Sequence, residues 1–201
     1  QLSSLFEHYQ NGRYGDAETL AIFITEQFPG HQFGWKVMGA LLEKTGRESE
    51  ALNANQKAVQ LVPQDAEAHY NLGNTLKELG RLEEAEASYR QAIALKSDYA
   101  EAHNNLGNTL KELSRLTEAE ASYRQAIGLK PDYAEAHINL GNTLRELGRY
   151  AEAVASYRQA IVLKPDWDDA HYNLGVLLFE RRQYDIAAEQ FELTDIHQSK
   201  F

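Results

Sequence analysis

The sequence repeats itself every 34 residues. Residues 66–99 read AEAHYNLGNTLKELGRLEEAEASYRQAIALKSDY, residues 100–133 read AEAHNNLGNTLKELSRLTEAEASYRQAIGLKPDY, and residues 134–167 read AEAHINLGNTLRELGRYAEAVASYRQAIVLKPDW. No insertion interrupts the period, and a more divergent copy fills 168–201. The phase extends backwards over 32–65, with Trp35, Gly39, Gly46, Ala51, Ala58 and Pro63 in step. It continues over 1–31, a partial copy with Gly12, Ala17 and Pro29 in step. All four prolines stand at the thirty-second position of a repeat, five glycines at the eighth and four at the fifteenth. Self-similarity at this spacing marks an architecture without a central core, in which each repeat buries its apolar face against its neighbours.

Within a repeat the apolar spacing is helical twice over. Ala68, His69, Leu72, Gly73, Leu76 and Leu79 recur at three- and four-residue steps, and Gly80-Arg81 then breaks the run. Leu82, Ala85, Tyr89, Ala92 and Ile93 form a second face. A glycine inside a helix costs about 1 kcal/mol, so Gly73 implies a close approach of the paired helices. Pro131 ends the second helix of its repeat. Asp132 with Glu135, and Asp166 with Asp169, read as caps of the helices that follow.

The pattern W/H-x2-L-G-x2-L…A-x3-Y…A…P, carried by all six copies with decreasing fidelity towards the first, resembles the tetratricopeptide repeat family. The resemblance implies an all-α fold: a single right-handed superhelical solenoid over 1–201 of six antiparallel helix pairs, A and B. The repeats are 1–31 (partial), 32–65, 66–99, 100–133, 134–167 and 168–201. It also implies a concave groove lined by the A helices and a protein–protein interaction role.

Composition narrows the chemistry. The net charge is −10, which opposes nucleic-acid binding through a general basic surface. With no cysteine, disulfides, zinc–thiolate sites, iron–sulfur clusters and a cysteine nucleophile are excluded. The longest clean apolar run, Leu20-Ala21-Ile22-Phe23-Ile24, falls far short of the ~20 residues of a membrane helix. The start, Gln1-Leu2-Ser3-Ser4, lacks the basic and apolar regions of a signal peptide, so a cytoplasmic location without membrane partners is expected. No phosphate-loop, dinucleotide, nucleophile-elbow or zinc-protease motif occurs, and neither catalysis nor a cofactor is expected. His69, His103, His137 and His171 recur every 34 residues, as a metal row would. Equivalent atoms of stacked repeats lie roughly 10 Å apart, too far to share one ion, so a packing role is expected.

The polar stripe of helix A, at positions 2, 5, 6, 9, 12 and 13, carries the functional signal. Position 6 is Asn71, Asn105, Asn139 and Asn173; position 9 is Asn74, Asn108 and Asn142, then Val176. Asparagine is a mediocre helix former, so local stability does not explain the rows. Its amide both donates and accepts, which matches a peptide backbone whatever its side chains. The position-6 row is similar to the asparagine ladder of the O-linked N-acetylglucosamine transferase superhelix, which implies that an extended polypeptide is held there. Tyr70, Tyr172, Lys77, Lys111 and Arg145 on the same stripe are further candidate peptide-binding residues. The bland alternative is a solvated face copied by duplication: repeats three and four differ at only 5 positions.

The expected function is thus a scaffold binding a protein or peptide segment of unknown identity. One alternative is the substrate-recruiting N-terminal region of a larger enzyme of glycosyltransferase or hydroxylase type, since the chain does not begin with Met. A second is self-assembly. In the last repeat Ile186, Phe191 and Leu193 are expected to be exposed on helix B, with a further helix continuing there or a homodimer forming through that edge.

Overall fold

The computed structural model describes the backbone of residues 2–198 and the side chains of 3–5 and 7–194. Among the described residues there are twelve α-helices and no strand. They are α1 (Leu2–Gln10), α2 (Tyr14–Gln27), α3 (Gln32–Lys44), α4 (Glu48–Leu61), α5 (Ala66–Glu78) and α6 (Leu82–Leu95). The series continues with α7 (Ala100–Glu112), α8 (Leu116–Leu129), α9 (Ala134–Glu146), α10 (Tyr150–Leu163), α11 (Asp168–Glu180) and α12 (Tyr184–Gln198). Odd-numbered helices are the A helices and even-numbered ones the B helices, so the all-α repeat fold read from the period is the fold observed. Among the described residues no helix is long and apolar enough to cross a membrane. Residues 199–201, and the expected continuation beyond them, lie outside the described residues.

The chain divides into two compact bodies, Gln1–Ala102 and His103–Phe201, and the division falls inside α7. In the N-terminal body α1 packs on α2 and α3, α3 on α2, α4 and α5, and α5 on α4 and α6. In the C-terminal body α9 packs on α8, α10 and α11, and α11 on α10 and α12. An A helix therefore touches its own B helix, the preceding B helix and the next A helix. Burial is local in each body, with no core common to all helices.

Two glycine positions make the hairpin. The turn residue between A and B is left-handed, with φ of 70° at Gly12, Gly46 and Gly80 and 74° at Gly148; Ser114 and Arg182 adopt the same conformation at 60° and 61°. At the eighth position the B helix comes so close that a Cβ on Gly141 would lie 2.6 Å from Tyr157 Cε1, and one on Gly175 2.7 Å from Phe191 Cε1. In repeats two to five the arginine after the turn ties down the start of the B helix. Arg81 to Glu84 and Arg149 to Glu152 are both 2.6 Å apart, one helical turn along.

Two expectations change, and a third gains its detail. Asp132 and Asp166 are not the N-cap residues of α9 and α11: those are Tyr133 and Trp167, which make no side-chain cap hydrogen bond. Their rings lie under Lys130 and Lys164 instead, at 4.8 and 4.7 Å. At the position of Tyr133 two repeats earlier, Asp65 does cap, accepting from Glu67 N and Ala68 N of α5. The histidine row has a definite structural use. His69, His137 and His171 place Nε2 3.0, 3.2 and 2.9 Å from the carbonyls of Pro63, Pro131 and Pro165, and Trp35 Nε1 donates to Pro29 O at 2.9 Å. Finally, Ile186 and Leu193 are exposed as expected, but Phe191 is half-buried because it packs on Gly175.

Candidate peptide-binding face

In the C-terminal body the polar stripe lies along α7, α9 and α11. The two asparagine rows, expected to act alike, differ. Asn108 Oδ1 accepts from Tyr123 Oη, and Asn142 Oδ1 from Tyr157 Oη, both at 2.8 Å. Both tyrosines are fully buried, and burial pushes the Tyr157 phenol up to about 12, so its hydroxyl keeps its proton and donates. A buried hydroxyl without an acceptor costs about 1–3 kcal/mol, which accounts for this row without any ligand. The rule holds along the chain. Asn74 accepts from Tyr89 at 2.8 Å, whereas Val176 stands opposite Phe191 and Ala40 in the repeat that carries Asn55. Sequence reasoning missed this, although the pairing of Asn with Tyr 15 residues on is visible in it.

The position-6 row is different. Asn71, Asn105, Asn139 and Asn173 are all half-buried, and Asn139 and Asn173 form no hydrogen bond through Oδ1 among the described residues. Asn139 Nδ2 donates to Asn104 Oδ1 at 3.2 Å, and Asn104 Nδ2 donates to Asn105 Oδ1 at 3.3 Å. Asn104 is fully buried. Sequence reasoning did not single it out, because a lone polar residue at position 5 carries no periodic signal.

The remaining candidates have mixed surroundings. Tyr172 is 57% exposed, with Phe179 at 58% one helical stretch further along α11 and Val176 half-buried between them. Lys111 pairs with Glu146 at 3.0 Å, whereas Arg145 has no ion pair among the described residues. In the N-terminal body, Tyr70 packs against Tyr99 with ring centroids 4.9 Å apart and planes tilted by 36°, and Lys77 lies 3.8 Å from Glu78.

The second repeat presents another chemistry on the same helix face. Lys36 pairs with Asp65 at 3.1 Å and with Glu67, and Gln32 donates to Asp65 at 2.8 Å. Burial opposes the Asp65 charge, but Lys36, Gln32 and the Ala68 N–H outweigh it and hold the carboxyl below its ordinary range. Glu43, at the position of Lys77 and Lys111, accepts from Thr75 and from Asn55 at 3.0 Å. Burial pushes the Glu43 carboxyl up despite those bonds. Among the described residues no group of three or more acidic or histidine side chains is placed to hold a metal ion.

A family model described as TPR repeat matches residues 41–80, 73–114, 107–144 and 141–181. No curated protein matches the chain in sequence. Among solved structures, MamA is similar with a TM-score of 0.75 and 24% identity, over 81% of this chain and 95% of that one. PilF of Pseudomonas aeruginosa gives 0.76 and 24% over 83% and 76%. YrrB, described as a TPR protein with an unusual peptide-binding site, gives 0.71 and 22% over 89% and 92%. These likenesses are of fold. With four overlapping matches across most of its length and a hairpin at every 34-residue step, the chain belongs to the TPR repeat family of interaction scaffolds.

Proposed function

We propose that this chain binds an extended peptide segment of a partner protein along its A-helix face, chiefly through the position-6 asparagines of the C-terminal body. The observation that carries the reading is the contrast between the two rows. Position 9 is accounted for by buried tyrosines, while the half-buried Asn139 and Asn173 each keep an Oδ1 that makes no hydrogen bond among the described residues. A backbone-directed amide matches a peptide irrespective of its side chains. Arg145 offers a cation to an acidic side chain of the ligand, and Tyr172 with Phe179 an apolar seat. A peptide-binding site in YrrB, a protein of the same fold, supports the class of ligand. A cytoplasmic setting goes with this reading.

The test is the double substitution Asn105→Ala with Asn139→Ala. Peptides selected by display against the purified chain should lose about tenfold or more in affinity, as expected for two lost hydrogen bonds, with helicity retained and the unfolding midpoint lowered because Asn104 loses both partners. Unchanged binding would reduce the face to solvated surface. A second reading, self-association through the last repeat, is favoured by the exposure of Phe179, Tyr184 and Ile186. Sedimentation over a concentration series separates the two.

A further inference from the structure

Asn104 has no counterpart in the other repeats. Its position is Lys36, Tyr70, Ile138 and Tyr172 elsewhere, so the fold does not require an amide there. Ile138 fills the same place one repeat later and is also buried. Burying a carboxamide where an isoleucine fits is unfavourable unless its polar atoms are bonded. Both ends of the Asn104 amide are bonded, one to each of two neighbouring position-6 asparagines.

This bonding fixes a direction. The Asn139 amide is planar, and one of its two Nδ2 hydrogens is given to the fully buried Asn104. Oδ1, on the other branch of the same plane, is then turned away from Asn104 and makes no hydrogen bond among the described residues. An amide that rotates freely can put its oxygen on either side; one that is held presents Oδ1 in a fixed place as an acceptor, whatever its second N–H does.

We infer that Asn104 is a positioning residue that sets the polarity of the peptide-binding face. It holds the Asn139 amide by its N–H, so that this rung accepts a backbone N–H from the bound peptide and rejects proline or any N-alkylated residue at that point. The inference rests on the peptide-binding reading above and adds ligand register to it.

The probe is a peptide of about a dozen residues selected by display against the whole chain, then resynthesised with a single N-methyl group at each position in turn. For the unmodified protein, methylation at one position should weaken binding about tenfold, the loss of one hydrogen bond with its acceptor left unpaired. Asn139→Ala should weaken the parent peptide and remove that position's sensitivity. Asn104→Ile, with the side chain the next repeat tolerates, releases the Asn139 amide, and most of the methylation penalty should vanish while the circular dichroism is unchanged. An undiminished penalty in Asn104→Ile overturns the inference and leaves peptide binding standing. Indifference of the probe to Asn139→Ala removes the peptide reading itself. A measurement without substitution or ligand decides the polarity independently: NMR scalar coupling across the hydrogen bond should connect Asn139 Nδ2 to Asn104 Cγ. Coupling from Asn104 Nδ2 to Asn139 Cγ instead would reverse the polarity and end the inference.

Discussion

Repeats two and five share a backbone and differ in what fills it. In repeat five, Gly141 admits the Tyr157 ring, and the Tyr157 hydroxyl is taken by Asn142. In repeat two, Gly39 faces Asn55, whose amide donates to Glu43 and Thr75, and Ala40 stands where Asn142 does. Position 6 is the apolar Val37 in one and Asn139 in the other. The period thus specifies where the helices approach, while the contents of the gap are exchanged as sets. A buried polar atom cannot be swapped alone, because the partner it leaves loses its hydrogen bond. The same exchange separates a face closed by Lys36, Asp65 and Glu67 from one that keeps open carboxamides.

The comparison can be broken most forcefully at the glycines. Gly141→Ala drives a methyl into a fully buried ring and should cost about 2–3 kcal/mol in denaturant unfolding. Gly39→Ala should cost less, because the short Asn55 amide can turn aside; an equal cost would show that the Asn55 bonds are as rigid as a ring. Tyr157→Phe should cost about 1 kcal/mol by stranding Asn142, and Asn142→Val added to it should restore most of the loss, as Val176 and Phe191 already coexist in repeat six. Ser114→Gly relieves a left-handed turn that four sister repeats give to glycine. It should stabilise by about 0.5 kcal/mol, the strain relief being partly offset by unfolded-state entropy.

The smallest effects, in pH dependence, have opposite signs within repeat two. Asp65 has a folded-state value below its unfolded one, so its contribution is present above about pH 4 and fades as pH falls through the lower, folded value. Asp65→Asn should flatten the acid limb of the thermal midpoint. Glu43 has a raised folded-state value, so it favours folding at low pH, and this is lost as pH rises through that value. Glu43→Gln should therefore raise the midpoint at neutral pH and leave it unchanged in acid.

Much of the hairpin was legible beforehand because it depends on backbone geometry and residue size. Gly80 for the turn, Gly73 for the close approach and Pro131 for the stop each act through local sterics, which the 34-residue register displays in four or five of the six repeats. The capping reading of Asp132 failed because a lysine–aromatic contact and a one-residue shift of the helix start compete with the cap motif. Of the candidate face, the stripe was legible, but the division of labour along it was not.

From the sequence alone follow the all-α class, the helix pairs, the turn and stop positions, and the side of helix A on which polar groups gather, because these are set by periodicity and backbone sterics. Only the tertiary structure decided which carboxamides are spent on the scaffold, that Lys36 bridges two carboxylates, and that Asn104 joins Asn105 to Asn139. The physical reason is range and direction. A hydrogen bond or ion pair forms only within about 3 Å along a set line between residues distant in the chain, and a repeat period places such residues on one face without saying which of them meet.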